Sequence, residues 1–205
     1  MKVLMINGSP DPKGCIHTAM SEVAKIFDQQ GVQSEEILIG SKDIRGCTGC
    51  RYCKTTGKCV FNDLVNQTLP KLEEADGIIL GSPVYYGNPN GTLLSFAQRL
   101  FYSSEADLTM KVGASIVSCR RGGNSASYQA LNQFFSISGM PIAPSLYWND
   151  VHGYTAEDVY EDEEGVQTMR NLANSMVFMM RSLADGRERY GSPELSKTHF
   201  TNFVR

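Results

Sequence analysis

Four of the six cysteines in this 205-residue chain fall within thirteen residues, as Cys47-x2-Cys50-x2-Cys53-x5-Cys59. Thiolates are soft metal ligands, and an iron–sulfur cluster takes four of them, so so compact a run suits a cluster. Gly46, Gly49 and Gly57 are interleaved with the cysteines and let the backbone fold tightly enough for several sulfurs to converge. Two other readings stand beside it. A four-cysteine zinc site normally shows two separated C-x2-C pairs rather than overlapping ones, and the same loop can carry plain thiols that hold no metal. Disulfides are disfavoured, because the expected compartment is the cytoplasm. The apolar run from Lys2 to Ile6 breaks at Asn7-Gly8, too short for a secretory signal, and no stretch approaches the roughly 20 apolar residues that cross a bilayer. Cys15 and Cys119 lie far from the run and read as small packing residues.

Three further segments carry useful chemistry. Gly8-Ser9-Pro10 to Thr18-Ala19 has hydroxyls, two glycines and Lys13 just before a helical pattern. Free backbone N–H groups at such a helix start suit a phosphate. The segment is neither G-x-x-x-x-G-K-[ST] nor G-x-G-x-x-G, which disfavours an NTPase or a dinucleotide-binding Rossmann domain. Ser82-Pro83-Val84-Tyr85-Tyr86-Gly87-Asn88 offers two aromatics to flank a planar ring. Ser118-Cys119-Arg120-Arg121-Gly122-Gly123-Asn124 is cationic and glycine-rich, and would stabilise negative charge on a reduced ring beside it. Each has a plainer reading: a capped βα turn, tyrosines covering a sheet end, a solvated basic turn. His17, His152 and His199 form no metal-binding pair. His152 either borders the ring pocket or is a hydrogen-bonded loop histidine. The acidic residues Glu157, Asp158, Glu161, Asp162, Glu163 and Glu164 precede a helix and suit its positive N-terminal end.

The elements that must hold these segments follow from periodicity. Apolar runs predict strands at Lys2–Ile6, Val32–Leu38, Gly77–Ser82 and Val112–Val117, with a fifth at 142–148. Helical spacing of apolar residues predicts helices ending near Gly31, over 64–75, near Thr92–Tyr102, near Ser125–Ile137, and along a stripe from Val166 to Leu183. Strands alternating with helices imply βαβ units, and the all-apolar Ile78-Ile79-Leu80 suits a parallel strand covered on both faces. The expectation is an α/β, flavodoxin-like, doubly wound five-stranded parallel sheet of order 2-1-3-4-5. In such a sheet ligands bind beyond the carboxyl ends of the strands, where all three loops fall. Residues 1–185 form one domain with a cysteine-rich insert at 43–60. Residues 186–205 form a tail whose Tyr190, Phe200 and Phe203 suit an arm packed on another subunit.

The chain is 41% hydrophobic and 20% charged, enough for one sizeable core. Its 19 Lys and Arg against 22 Asp and Glu leave a net charge of −3, without the basic footprint that nucleic acid or an anionic membrane requires.

In this order and spacing the loops resemble the NADPH-dependent FMN reductase branch of the flavodoxin-like superfamily. The matching residues are Gly8-Ser9-Pro10 with Thr18-Ala19, Ala75-Asp76-Gly77 leading to Ser82-Pro83-Val84-Tyr85-Tyr86, Arg121-Gly122-Gly123, and Trp148-Asn149 with His152-Gly153. The cysteine run has the x2-x2 opening of ferredoxins, and its x5 closure resembles the iron–sulfur flavoproteins of the same branch. The resemblance implies that Ser9, Gly14, Cys15, His17, Thr18 and Ala19 cradle the phosphate of FMN. Pro83, Val84, Tyr85, Tyr86 and Gly87 would contact its ring, and Ser118, Arg120, Arg121, Gly122 and Gly123 would complete the pocket. Cys47, Cys50, Cys53 and Cys59 would hold a [4Fe-4S] cluster. Where relatives tend to read Gly-Asn-Thr, this chain reads Gly14-Cys15-Ile16-His17-Thr18, so contacts in that turn would be made by backbone. The implied protein is an FMN-dependent oxidoreductase, a homodimer or homotetramer, exchanging electrons with NAD(P)H or another small-molecule or protein partner. Two alternatives are a flavodoxin-like electron carrier and a non-catalytic FMN-binding module whose cysteine loop holds no metal.

Overall fold

In the computed structural model, which describes residues 1–196, 198, 199 and 201, parallel strands form the centre of the molecule. β1 (Lys2–Asn7) is followed by α1 (Cys15–Gln29), β2 (Gln33–Leu38), the short α2 (Cys53–Thr56) and α3 (Leu64–Glu74). Next come β3 (Gly77–Tyr85), β4 (Asn88–Pro89), α4 (Gly91–Ser103), β5 (Val112–Cys119) and α5 (Asn124–Ile137). The chain closes with β6 (Asp150–His152), α6 (Ala156–Glu161) and α7 (Glu163–Tyr190). The parallel strands run in the order β2-β1-β3-β5-β6, and β4 pairs antiparallel with β3 alone. Taken as the five parallel strands, this is the expected 2-1-3-4-5 order. All of β5 and the first six residues of β3 are buried, as strands covered by helices on both faces must be.

The fifth strand is displaced from its expected place at 142–148. Residues 141–143 touch β5 only through a bridge at Ile142, with Gly113 N–H donating to Pro141 O and Ala143 N–H to Gly113 O. Pro144 lacks the N–H that a ladder needs, and the chain leaves the sheet there. It returns as β6, pairing Val117 with Asp150 and Cys119 with His152. Leu146, Tyr147 and Trp148, whose apolar character suggested a strand, are exposed. α7 also runs on to Tyr190, five residues past the expected domain limit, while Phe200 and Phe203 lie outside the described residues.

Two apolar cores flank the sheet. One joins Met20, Val23 and Phe27 of α1 to Met169, Leu172 and Met176 of α7. The other joins Leu72 of α3, Phe96 and Leu100 of α4, and Leu131 and Phe135 of α5. Glu22 ties α1 to α7 from inside: its side chain is 1% exposed and accepts hydrogen bonds from Lys25 and Arg170. Burial raises the pKa of this carboxyl, but those bonds and charges outweigh it and leave it below 4.5. Stabilisation from a depressed carboxyl is complete above the unfolded-state value and is lost as pH falls through the folded one. Glu22→Gln is therefore expected to lower unfolding free energy at pH 7 by about 1–3 kcal/mol. Urea titrations at descending pH should show the gap to wild type closing below about 4.5.

Candidate functional site

The carboxyl ends of the parallel strands converge on one edge of the sheet. Gly8 N–H donates to Gly81 O (2.8 Å), joining the loop after β1 to β3. A Cβ on Gly40 would lie 2.0 Å from the Ser9 carbonyl, so the loop after β2 presses directly on the loop after β1. Gly123, at φ +88°, brings the loop after β5 against Gly87 and Val84. On the far side Gly153 N–H donates to Cys119 O (3.2 Å), and Cys15 Sγ to Thr155 O (3.2 Å).

Two helices point their N-terminal ends at this edge with no side chain over their N–H groups. α1 starts after Gly14 and α5 after Gly123, neither of which has a capping side chain. Free N–H groups and the positive dipole end make such starts anion sites. The β1–α1 loop is held in shape by Asn7, buried at the end of β1. Its Oδ1 accepts from Ser9 N–H (2.8 Å), and its Nδ2 donates to Glu36 (2.6 Å). Glu36 in turn pairs with His17 Nδ1 (2.8 Å). At the end of β3 the chain makes a tight hairpin to β4 through Tyr86 (φ 51°) and Gly87 (φ 73°). Two central residues with positive φ are the mark of a type I′ turn, and a tyrosine in that conformation is strained. Tyr86 is fully exposed at the tip and Tyr85 half-exposed beneath it. Ser82 Oγ accepts from Asn90 N–H (2.7 Å), and Asn90 caps α4, so this hairpin also sets where α4 begins.

The four clustered cysteines line one small cavity together with Arg51, Phe61, Arg99 and Tyr102. Cys53 is buried at the start of α2, Cys59 is half-buried, and Cys47 and Cys50 are exposed. Cys59 is held from two sides. Asn66 of α3 accepts from its N–H (2.8 Å) and donates to its carbonyl (2.9 Å), while Arg99 of α4 donates from Nε to its sulfur (3.2 Å). Arg99 is itself fully buried and forks onto Asp63 at 2.6 and 2.9 Å. Among the described residues no three His, Cys, Asp or Glu side chains are close enough to share one metal ion.

The remaining residues expected from sequence fall as follows. Ser9 and Gly14 are buried in the β1–α1 loop, with Ser9 Oγ accepting from Asp11 N–H (3.2 Å). Thr18 is buried and its hydroxyl is spent on Gly14 O (3.2 Å), and Ala19 is fully buried in the α1–α7 core. Pro83 and Val84 are half-buried in β3 beyond its pairing with β1. Ser118 is buried in β5, whereas Arg120, Arg121 and Gly122 are exposed. His152, at the end of β6, is exposed; its N–H donates to Asp162 Oδ2 (2.6 Å) and its ring Nδ1 lies 3.4 Å from the same carboxylate. The acidic residues cap helices: Thr155 and Asp158 form a capping box on α6, and Asp162 caps α7. Asn7, Glu36, Asn66, Asp63 and Arg99 were missed. Arg99 left one trace, a charge three residues after Phe96 and four before Ser103, on the inward face of α4.

Gly123→Ala would place a Cβ 2.8 Å from Gly87 Cα at positive φ, and should cost about 1–2 kcal/mol in urea denaturation. Gly122→Ala, with open space around it, should stay within about 0.5 kcal/mol of wild type. Iodoacetamide should label the exposed Cys47 and Cys50 ahead of Cys15 and Cys119, whose thiols burial pushes up, as read by peptide mass spectrometry.

The model of the NADPH-dependent FMN reductase family matches residues 1–155. An iron-sulfur flavoprotein of Methanocaldococcus jannaschii is 33% identical over 189 residues, 88% of this chain and 98% of its own. The iron-sulfur flavoprotein of Methanosarcina thermophila is 26% identical, covering 92% of this chain and all of its own. Among solved structures, RosB with bound 8-demethyl-8-formylriboflavin-5'-phosphate superposes at TM-score 0.73, with 12% identity over all of this chain and 92% of its own. An NADH:FMN oxidoreductase in its apo form superposes at TM-score 0.61, with 16% identity over 88% of this chain and 89% of its own. The parallel sheet and the match over residues 1–155 agree: the chain belongs to the NADPH-dependent FMN reductase family of flavodoxin-like, FMN-dependent oxidoreductases.

Proposed function

We infer that this oxidoreductase works as an iron–sulfur flavoprotein, with FMN at the carboxyl edge of the sheet and a [4Fe-4S] cluster on Cys47, Cys50, Cys53 and Cys59. The observation that carries the reading is the cavity onto which all four thiols open, with a buried guanidinium hydrogen-bonded to one sulfur. Four thiolates are a cluster's donor set, and a nearby cation and N–H donor offset their negative charge. The cavity is small, about 20 Å³, and no three of these side chains are close enough to share one metal ion, so seating a cluster would require the exposed Cys47 and Cys50 to shift. Both sit on exposed backbone beside Gly46 and Gly49, and nothing lies within 4 Å of a Cβ built on Gly49.

Bound FMN would take up two electrons as hydride or release them singly, and a bound cluster would carry one at a time. The chain's own residues would position and shield. The backbone N–H groups of Cys15, Ile16 and His17, at the open start of α1, would hold the phosphate in the turn formed by Ser9, Gly14, Thr18 and Ala19. His17, held through Nδ1 by Glu36, would donate from Nε2 to a phosphate oxygen only with both ring nitrogens protonated. Pro83, Val84, Tyr85, Tyr86 and Gly87 would meet one side of the ring, with Tyr85 and Tyr86 keeping water from it. Ser118 and the Gly122–Gly123 backbone would meet its other side, and Arg120 and Arg121 would add positive charge where a reduced ring becomes anionic. NAD(P)H or a protein carrier would deliver electrons at the exposed face. A homodimer or homotetramer would cover Leu146, Tyr147, Trp148 and Tyr154, which are exposed.

The test is anaerobic purification followed by a visible spectrum and assays of flavin, iron and acid-labile sulfide on one sample. About one FMN and four irons per chain are expected. Flavin with neither iron nor sulfide would sink the cluster and leave the flavin site standing. Cys53→Ala should cut iron to less than about a tenth of wild type while FMN content holds.

A further inference from the structure

Arg99 is the one fully buried cation among the described residues, and the chain directs it at a sulfur. An unpaired buried guanidinium would cost several kcal/mol, so its N–H groups must be satisfied. Asp63 takes one each from Nη1 and Nη2, and the carbonyls of Arg45 and Phe61 accept weaker bonds at 3.3 Å. That leaves Nε, whose single N–H points to Cys59 Sγ at 3.2 Å. Burial works against the charge, but the hydrogen bonds to Asp63 and Cys59 prevail and hold the group protonated. Its surroundings fix its aim. Asp63 is itself immobilised as the N-cap of α3, its Oδ1 accepting from Val65 N–H (3.1 Å). The guanidinium carbon lies 5.1 Å from the centre of the Phe61 ring. Asn66 fixes the Cys59 backbone, so donor and acceptor are both held.

We propose that Arg99 is a positioning and tuning residue for the cysteine site: its Nε–H to Cys59 sulfur raises the reduction potential of the cluster held there and slows iron loss. The inference rests on the cluster reading above. Hydrogen bonds to cluster sulfurs are among the factors that set such potentials, because a donor stabilises the more electron-rich, reduced state. In that reduction one electron enters the cluster, no covalent bond forms or breaks, and Arg99 keeps its proton. The electron comes from reduced FMN in the protein or from dithionite in a titration.

Wild type and Arg99→Gln are reconstituted anaerobically with ferrous iron and sulfide, and the cluster is titrated electrochemically with electron paramagnetic resonance as readout. Arg99→Gln is expected to titrate at a more negative potential and to release iron to a chelator at least several-fold faster. Circular dichroism melting checks that its fold is intact. A second measurement needs no variant. Wild type labelled with ¹⁵N in the arginine guanidinium should show a nitrogen hyperfine coupling to the reduced cluster. A loaded Arg99→Gln with unchanged potential and iron release, or a labelled wild type without the coupling, overturns the proposal while the cluster stands. A wild type that takes up no iron and sulfide overturns the cluster reading itself, and this one with it. Should Arg99→Gln not fold, the labelled wild type decides.

Discussion

A charged guanidinium inside a protein has to be answered on every side, and the whole cysteine segment is arranged around answering Arg99. Its partners come from three stretches of chain: the Arg45 carbonyl before the first cysteine, the Cys59 sulfur and Phe61 carbonyl after the last helical turn, and the Asp63 cap of α3. Replacing so many bonds with water is impossible at 1% exposure. The ends of an otherwise exposed loop are thereby pinned to α3 and α4 while its middle, with Cys47 and Cys50, stays at the surface. A loop pinned at its ends and open in its middle suits a group that must be inserted after folding and then kept in place. An apolar residue at position 99 could fill the same volume, but it would deprive Asp63 Oδ2 and the Cys59 sulfur of their guanidinium donor.

The sheet edge obeys a different constraint. Parallel strands place all their carboxyl ends on one side, so every following loop must share that space, and glycine is what lets them do so. Gly8 lies against Leu93, Gly40 against Ser9, and Gly123 against Gly87. Gly123, with Gly14 before α1, also leaves the first N–H groups of α5 and α1 without a capping side chain. Close packing of the loops and an open, electropositive floor thus arise from one choice of residue. Strain at Tyr86 fits this economy. A left-handed tyrosine costs about 1 kcal/mol relative to glycine, and its position at an exposed turn beside that floor gives the cost a use: a ring held out from the edge.

What could be read from sequence divides along physical lines. The four longer parallel strands and the long helices announce themselves because burial on one or two faces leaves a periodic trace. The three-residue β6, with Asp150 and His152 at its ends, leaves none, and the apolar run before it suggested a strand that Pro144 breaks. The loops of the sheet edge were legible from glycines and aromatics at strand ends. The cysteine run was legible because its thiols are close in sequence. The groups that hold those loops in place were not, because they act across large separations: Asn7 on Glu36, Glu36 on His17, Asp63 and Cys59 on Arg99. Local pattern shows which residues do chemistry, and long-range pairing shows what holds them still.

α4 is where the two regions meet. Its cap, Asn90, is bonded to Ser82 at the sheet edge, and Arg99 lies nine residues further on, about 14 Å along a straight helix axis. Leu93, Phe96 and Ala97 are fully buried between those points and Leu100 just beyond, so the helix can neither slide nor turn without breaking the core. The spacing between the Tyr86 hairpin and the Cys59 sulfur is therefore set by one rigid element rather than by the exposed loop that carries the cysteines. Electron exchange between two sites depends on the distance between them, and a distance fixed by a packed helix survives whatever the surface loop does. A change at Asn90, Phe96 or Arg99 alters that geometry directly.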